Sequence, residues 1–154
     1  MDTIKKFQVA ATSTFIIGFG AFLYYDHSVN EPKAAAAQHE LEKEFAAIRP
    51  FDRAIESGFQ STHKSNLALV GDGYSTPASF DEIRLYYIHE LERLEWRAQG
   101  DKAVKDWGRD LGGKTTTFCK GPNKASLEYY GDASNYRGHY RLELSWGIGP
   151  KCSA

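Results

Sequence analysis

The chain has 154 residues, 42% of them apolar, with a formal net charge of −1 and a mean hydropathy of −0.51. Near-neutral charge argues against nucleic acid, which demands a basic face. The length, less one apolar run, leaves room for a single small domain with a modest core.

That run is residues 7–25, which carry no charged side chain. As a helix it spans about 28 Å, close to the hydrocarbon thickness of a bilayer. The hydroxyls of Thr12, Ser13 and Thr14 can bond back to the preceding turn. Tyr24 and Tyr25 end the run, where amphipathic rings prefer the headgroup level. A cleaved signal peptide also has a basic start and an apolar run, but no small-x-small site follows Tyr25 closely. The expectation is an uncleaved transmembrane helix over 7–25, with lipid around it. Lys5 and Lys6 precede the run and place residues 1–6 in the cytoplasm, with the rest of the chain on the other side of the membrane. Ala10, Thr14, Gly18 and Ala21 fall on one face at small-residue spacing, a candidate docking face for another membrane helix.

Residues 26–50 read as a polar break and an amphipathic linker helix. Asn30 is a plausible cap, Pro32 fits a first turn, and Pro50 stops the helix. Ala34, Ala37, Leu41, Phe45 and Ile48 form its one apolar stripe, which lies against the domain or a partner. The domain proper is assigned to 51–154. Residues 51–65 show weak periodicity and read as loop, and Leu67–Val70 reads as a brief strand bounded by Gly71 and Gly73. Ser79 and Glu82 make a capping box that opens a helix over 80–97. Its first stripe, Phe80, Ile83, Tyr87, Leu91 and Leu94, faces a sheet. A second, Leu85, Ile88 and Trp96, is left for Val104, Trp107 and Leu111 or for another protein.

Residues 101–111 read as a short helix ended by Gly112 and Gly113. Three strand-like runs follow, over 115–120, 125–130 and 140–146, the last two with clean alternation. The fold class read from this order is α+β: a transmembrane helix, then helices packed on a three- or four-stranded antiparallel meander. In such a meander Cys119, ending the first strand, and Cys152, beyond the third, share one edge of the sheet. A disulfide is expected there, worth roughly 3–4 kcal/mol in the loop-entropy picture, and it fits an oxidising compartment.

Gly108 to Thr115 matches the phosphate-binding pattern G-x-x-x-x-G-K-[ST], but a P-loop needs a buried strand before it and a helix after it. A charged stretch precedes this one and a Thr-rich strand follows, so a plain helix stop is the better reading. His39 and His89 open sequences like a zinc-protease motif, each without the second histidine at i+4. No Gly-x-Ser-x-Gly occurs and neither cysteine has a neighbouring histidine. No catalytic residue, metal site, cofactor or small-molecule substrate is expected. The polar sheet face (Glu128, Tyr130, His139, Arg141, Glu143) could bind something, but cross-strand charge pairing is the duller account and the preferred one. Tyrosines cluster around the second hairpin, so Tyr130 and Tyr136, with Leu85 and Trp96, are the candidate partner contacts.

Residues 80–87 (Phe-Asp-Glu-Ile-Arg-Leu-Tyr-Tyr) with Glu90, Leu91 and Trp96, then 118–121 (Phe-Cys-Lys-Gly), then 140–146, cover the C-terminal half. They resemble small bacterial proteins with one N-terminal span and an extracytoplasmic α+β domain, a resemblance that implies the fold and a single-pass placement in the bacterial inner membrane with the domain periplasmic, but no activity. The layout is also similar to type IV pilins and pseudopilins. It departs from them where no glycine precedes Phe7 and Ala11 stands in place of a glutamate. The functional expectation is a non-catalytic accessory or scaffolding subunit of a membrane complex, touching another transmembrane protein through its anchor and outer domain. A pilin-like filament component is the alternative, and a P-loop enzyme comes after it.

Overall fold

The structure, a computed structural model, describes residues 17–22, 24–135, 138–148 and 152. Residues 17–22 and 24–25 are helical, and Asp26–Asn30 form a π-helical turn that runs into α1, Glu31–Ala46. The polar break read over this stretch is therefore helix. Tyr25, Asn30 and Glu31 all keep right-handed helical dihedrals, and the Asn30 side chain donates to Asp26 Oδ1 (3.1 Å) rather than capping α1. Pro32 has no N–H and its ring crowds the carbonyl four residues back. The chain takes the wider register instead, with Glu31 N–H bonded to the carbonyl of Asp26, five residues earlier. Ser65 Oγ donates to Asp26 Oδ2 (2.6 Å) and ties the turn to the tip of a hairpin.

Among the described residues no helix is long and apolar enough to cross a membrane. This overturns the transmembrane helix over 7–25 and, with it, the single-pass inner-membrane topology and periplasmic placement. Residues 7–16 and 23 of that run, including Ala10 and Thr14, lie outside the described residues. Gly18 and Ala21 are helical and exposed, and a Cβ on Gly18 would meet nothing within 4 Å.

Seven strands form one antiparallel sheet: β1 (Ile55–Glu56), β2 (Gln60–Lys64), β3 (Leu67–Ser75), β4 (Arg97–Asp106), β5 (Arg109–Lys120), β6 (Asn123–Tyr129) and β7 (His139–Trp146). Their order is β1-β3-β7-β6-β5-β4, with β2 paired to β3 beside β1. The expected three- or four-stranded meander is thus too small. The β4-to-β7 meander is there, but β3 joins its β7 edge in register from Ala68↔Trp146 to Ser75↔His139.

Three segments account for the difference, the first being residues 51–65, expected as loop, which supply β1 and β2 along the edge of β3. Residues 97–106 are β4 and not part of a helix, because Trp107 and Gly108, both at positive φ (49° and 83°), make the tight turn that lets β5 fold back along them. Residues 67–75 are a single long strand in which Gly71 and Gly73 are interior positions. A Cβ on Gly71 would sit 2.7 Å from the Leu142 carbonyl oxygen, so the glycine marks where β7 approaches too closely for a side chain.

Helix α2, Phe80–Arg93, opens with the expected capping box: Ser79 Oγ accepts from Glu82 N–H, and Glu82 Oε2 accepts from Ser79 N–H (2.8 Å). It stops at Arg93, short of the expected 97. Glu95 takes φ 68° and Trp96 N–H reaches back to the Leu91 carbonyl (2.9 Å), a Schellman turn. That turn drops Trp96 into the core, where it is 1% exposed. Both helices lie on one face of the sheet. Leu41 and Ile48 of the α1 region, and Phe80, Ile83, Tyr87 and Leu91 of α2, pack with Val70, Phe118, Leu127, Tyr140, Leu142 and Leu144 in one cluster. Strand alternation turns the intervening residues to the opposite face, on which neither α1 nor α2 packs.

Candidate functional site

The sheet face opposite α1 and α2 is polar because it receives the alternate residues of β6 and β7. The register sets Glu128 across from Arg141 and Ser126 across from Glu143, while Arg141 and Glu143 also sit across from Gly73 and Gly71 of β3. Simple cross-strand pairing would join Glu128 to Arg141. Instead, the Arg141 guanidinium donates through Nε to Glu143 Oε2 (3.2 Å) and through Nη2 to Gln60 Oε1 (2.7 Å). Among the described residues nothing makes a hydrogen bond or ion pair to the Glu128 carboxylate. Burial, and then the neighbouring Glu143 charge, push its carboxyl above the ordinary glutamate range, with Arg141 opposing.

Glu128 opens onto a cavity of about 600 Å³ at the end of the sheet where β6 meets β7. One wall comes from the β4–β5 hairpin, with Val104, Lys105 and Leu111. Tyr130 and His139 stand beside Glu128, and Ser57 and Ser134 reach in from the adjoining loops. The wall is held by the β6–β7 connection, which folds back on β5 with Ala133 N–H bonded to the Leu111 carbonyl (3.2 Å). Gly131 makes this possible: at φ 94° it lies so close that a Cβ would collide with the Leu111 carbonyl oxygen. Tyr129, whose ring packs on Phe80 in the core, sends its hydroxyl to Asp132 and fixes the first residues of the connection.

The four expected contact residues do not come together. Tyr130 is 37% exposed and lines the cavity. Leu85 is 55% exposed on α2, in the layer on the other side of the sheet. Trp96 is buried in the core and is withdrawn as a contact, and Tyr136 lies outside the described residues. Cys119 and Cys152 are joined, with Cα atoms 5.6 Å apart, a separation that suits a disulfide. Cys119 lies at the far end of β5 from the cavity residue Gly113.

The phosphate-binding pattern falls on the β4–β5 turn and on β5 itself, with no helix after it. Lys114 lies 4.8 Å over the Phe80 ring, a cation–π contact. His39 is exposed beside Glu42, and His63 is bonded to Gln38. Among the described residues no group of histidine, cysteine and carboxylate side chains could hold a metal.

Of the cavity's residues, the sequence reading singles out Tyr130 as a contact and places Glu128 and His139 on a polar face for which it prefers charge pairing; it does not bring Val104, Lys105 and Leu111 to the same place. A signal was present: Gly100, Gly108, Gly112 and Gly113 within fourteen residues make a poor helix and a good hairpin. The chain matches no known protein family, no curated protein and no solved structure.

Proposed function

We propose that the protein is a non-catalytic accessory subunit that holds a protein partner against the face of its sheet opposite α1 and α2. The observation carrying this reading is the cavity in that face, apolar along Val104 and Leu111, polar at Glu128, and edged by the part-exposed ring of Tyr130. Aromatic residues beside a pocket are the usual anchors of protein interfaces, since they bury much area for little lost freedom. One face is consumed by the two helices in building the core, so the other is available for recognition.

The test is affinity capture with the tagged full-length chain from extracts of its source cells, alongside Tyr130→Ala and Val104→Asp. One defined protein is expected with the wild type and a loss of at least tenfold with both variants at unchanged thermal midpoints. Equal retention by the variants, or a wild type that elutes alone at physiological salt, overturns the reading.

A further inference from the structure

We infer that the group the partner inserts into this cavity is a lysine side chain, with Glu128 as counter-ion to its ammonium. The inference rests on the reading of this face as a partner site and names the chemistry that fills it.

Several other carboxylates that are shielded from water have their charge answered by a cation within the chain. Glu90 holds Arg49 and Arg93, Glu44 holds Lys120, and Glu143 holds Arg141. Glu128 is half-buried without such an answer, and a carboxylate taken partly out of water costs free energy unless a cation or donor meets it. The nearest cation in register, Arg141, is committed to Glu143 and Gln60. A cation arriving from outside completes the pair.

The rest of the cavity suits the stem of that cation. Val104 and Leu111 offer apolar contact to a chain of methylenes, the manner in which lysine buries its stem while its head stays polar. An ammonium has three N–H donors. Glu128 can take one, and the hydroxyl oxygen of Ser57, which also lines the cavity, is a second acceptor type for the others, as is solvent at the cavity mouth. About 600 Å³ lies within the roughly 300–1,000 Å³ typical of clefts that take a drug-sized ligand, room for a lysine side chain together with its flanking backbone. Glu128 and Glu143 together disfavour an anion. Lys105 at the wall disfavours a second positive charge on the guest, so a lysine flanked by neutral residues fits better than one in a basic run.

The probes are Nα-acetyl-lysine methylamide, its norleucine counterpart of similar shape without the charge, and n-pentylamine. Binding to the full chain is followed by amide chemical shifts and calorimetry, for wild type, Glu128→Gln and the remote helix variant Glu92→Gln. The lysine probe is expected to saturate and shift amides around 128–130 and 104–113. It should bind at least tenfold more weakly to Glu128→Gln, and equally to Glu92→Gln. Norleucine binding as well as lysine, or no loss in Glu128→Gln, overturns the ion-pair role. Pentylamine binding more tightly than the lysine probe overturns a peptidic guest in favour of a free amine. If lysine fails while Tyr130-dependent capture of a protein persists, this inference falls and the accessory-subunit reading stands.

Discussion

Glu90 is the side chain whose removal tests the energetic reasoning most directly. Its carboxylate is 3% exposed and accepts five hydrogen bonds. Arg49 donates from its backbone N–H (3.0 Å), Nε (3.2 Å) and Nη2 (2.8 Å), and Arg93 from Nε (3.1 Å) and Nη2 (2.6 Å). Arg93 also donates to the Ala47 carbonyl (3.1 Å), so the cluster fastens the end of α1 to α2. Hydrogen bonds to charged groups contribute about 1.5–3 kcal/mol each to net stability when taken singly. The two guanidinium groups are 70% and 47% exposed and rehydrate when the carboxylate leaves, which discounts most of that sum. Glu90→Ala should therefore cost about 3 kcal/mol, the lower end for breaking a buried pair. Glu90→Gln, which keeps one acceptor for the Arg49 N–H, should cost about 2 kcal/mol.

The assay is urea unfolding across pH. Bonds from Arg93, then from Arg49, hold the Glu90 carboxyl well below its ordinary value of 4.5. A carboxyl lowered on folding contributes stability above the unfolded value and loses it as pH falls through the folded one. The gap between wild type and Glu90→Gln should be full at neutral pH and narrow progressively below about pH 4.5. A Glu90→Ala protein within about 0.5 kcal/mol of wild type, or a gap that ignores pH, would refute the argument.

The other expectations concern the sheet and its open face. Glu128 has the opposite sign: its carboxyl is raised on folding, so its ionisation destabilises the fold above the raised value. Glu128→Gln should raise the urea midpoint at pH 7, by less than about 1 kcal/mol given its partial exposure, with the gain vanishing in acid. Gly71→Ala places a Cβ 2.7 Å from backbone oxygen in the middle of the β3–β7 ladder; it should lower stability by about 2 kcal/mol, and an unchanged thermal midpoint would show that the strands can part cheaply. Reduction of the Cys119–Cys152 bond, which spans 33 residues, should lower stability by about 3–4 kcal/mol, and thiol labelling of denatured, unreduced protein should find no free cysteine.

What the sequence made legible was whatever local physics decides alone. The capping box at Ser79 and Glu82 fixes the start of α2 whatever surrounds it. The alternation in β6 and β7 puts Leu127, Tyr140, Leu142 and Leu144 inside, and Glu128 and Arg141 outside, before any partner strand is known. The rest was decided at a distance. Val104, Trp107 and Leu111 happen to recur at helical spacing, but pairing of Val104 with Gly113 and Asp101 with Thr116 outweighs that weak preference. Strands β1 and β2 are short and mostly polar, and they exist because the free edge of β3 gives their backbones partners. Trp96 continued a plausible helical stripe, and only the αL residue at Glu95 diverts it inward. The site was half readable for the same reason: its floor follows strand alternation, whereas its walls come from a hairpin whose turn was not recognised.

The pairing of Ala68 with Trp146 sets a timetable for the chain as it is made. Strand β3 emerges with only the short β1 and β2 beside it, and its other ladder waits for β7. Closing so large a loop is slow, because the entropy of the intervening segment is lost before the contacts that reward it are formed. A chain halted anywhere before β7 keeps one edge of β3 open, with Val70 and Tyr74 lacking Leu144 and Tyr140 across from them. Completion of the core is therefore a late event relative to the synthesis of β3, reached only after β7 has left the ribosome.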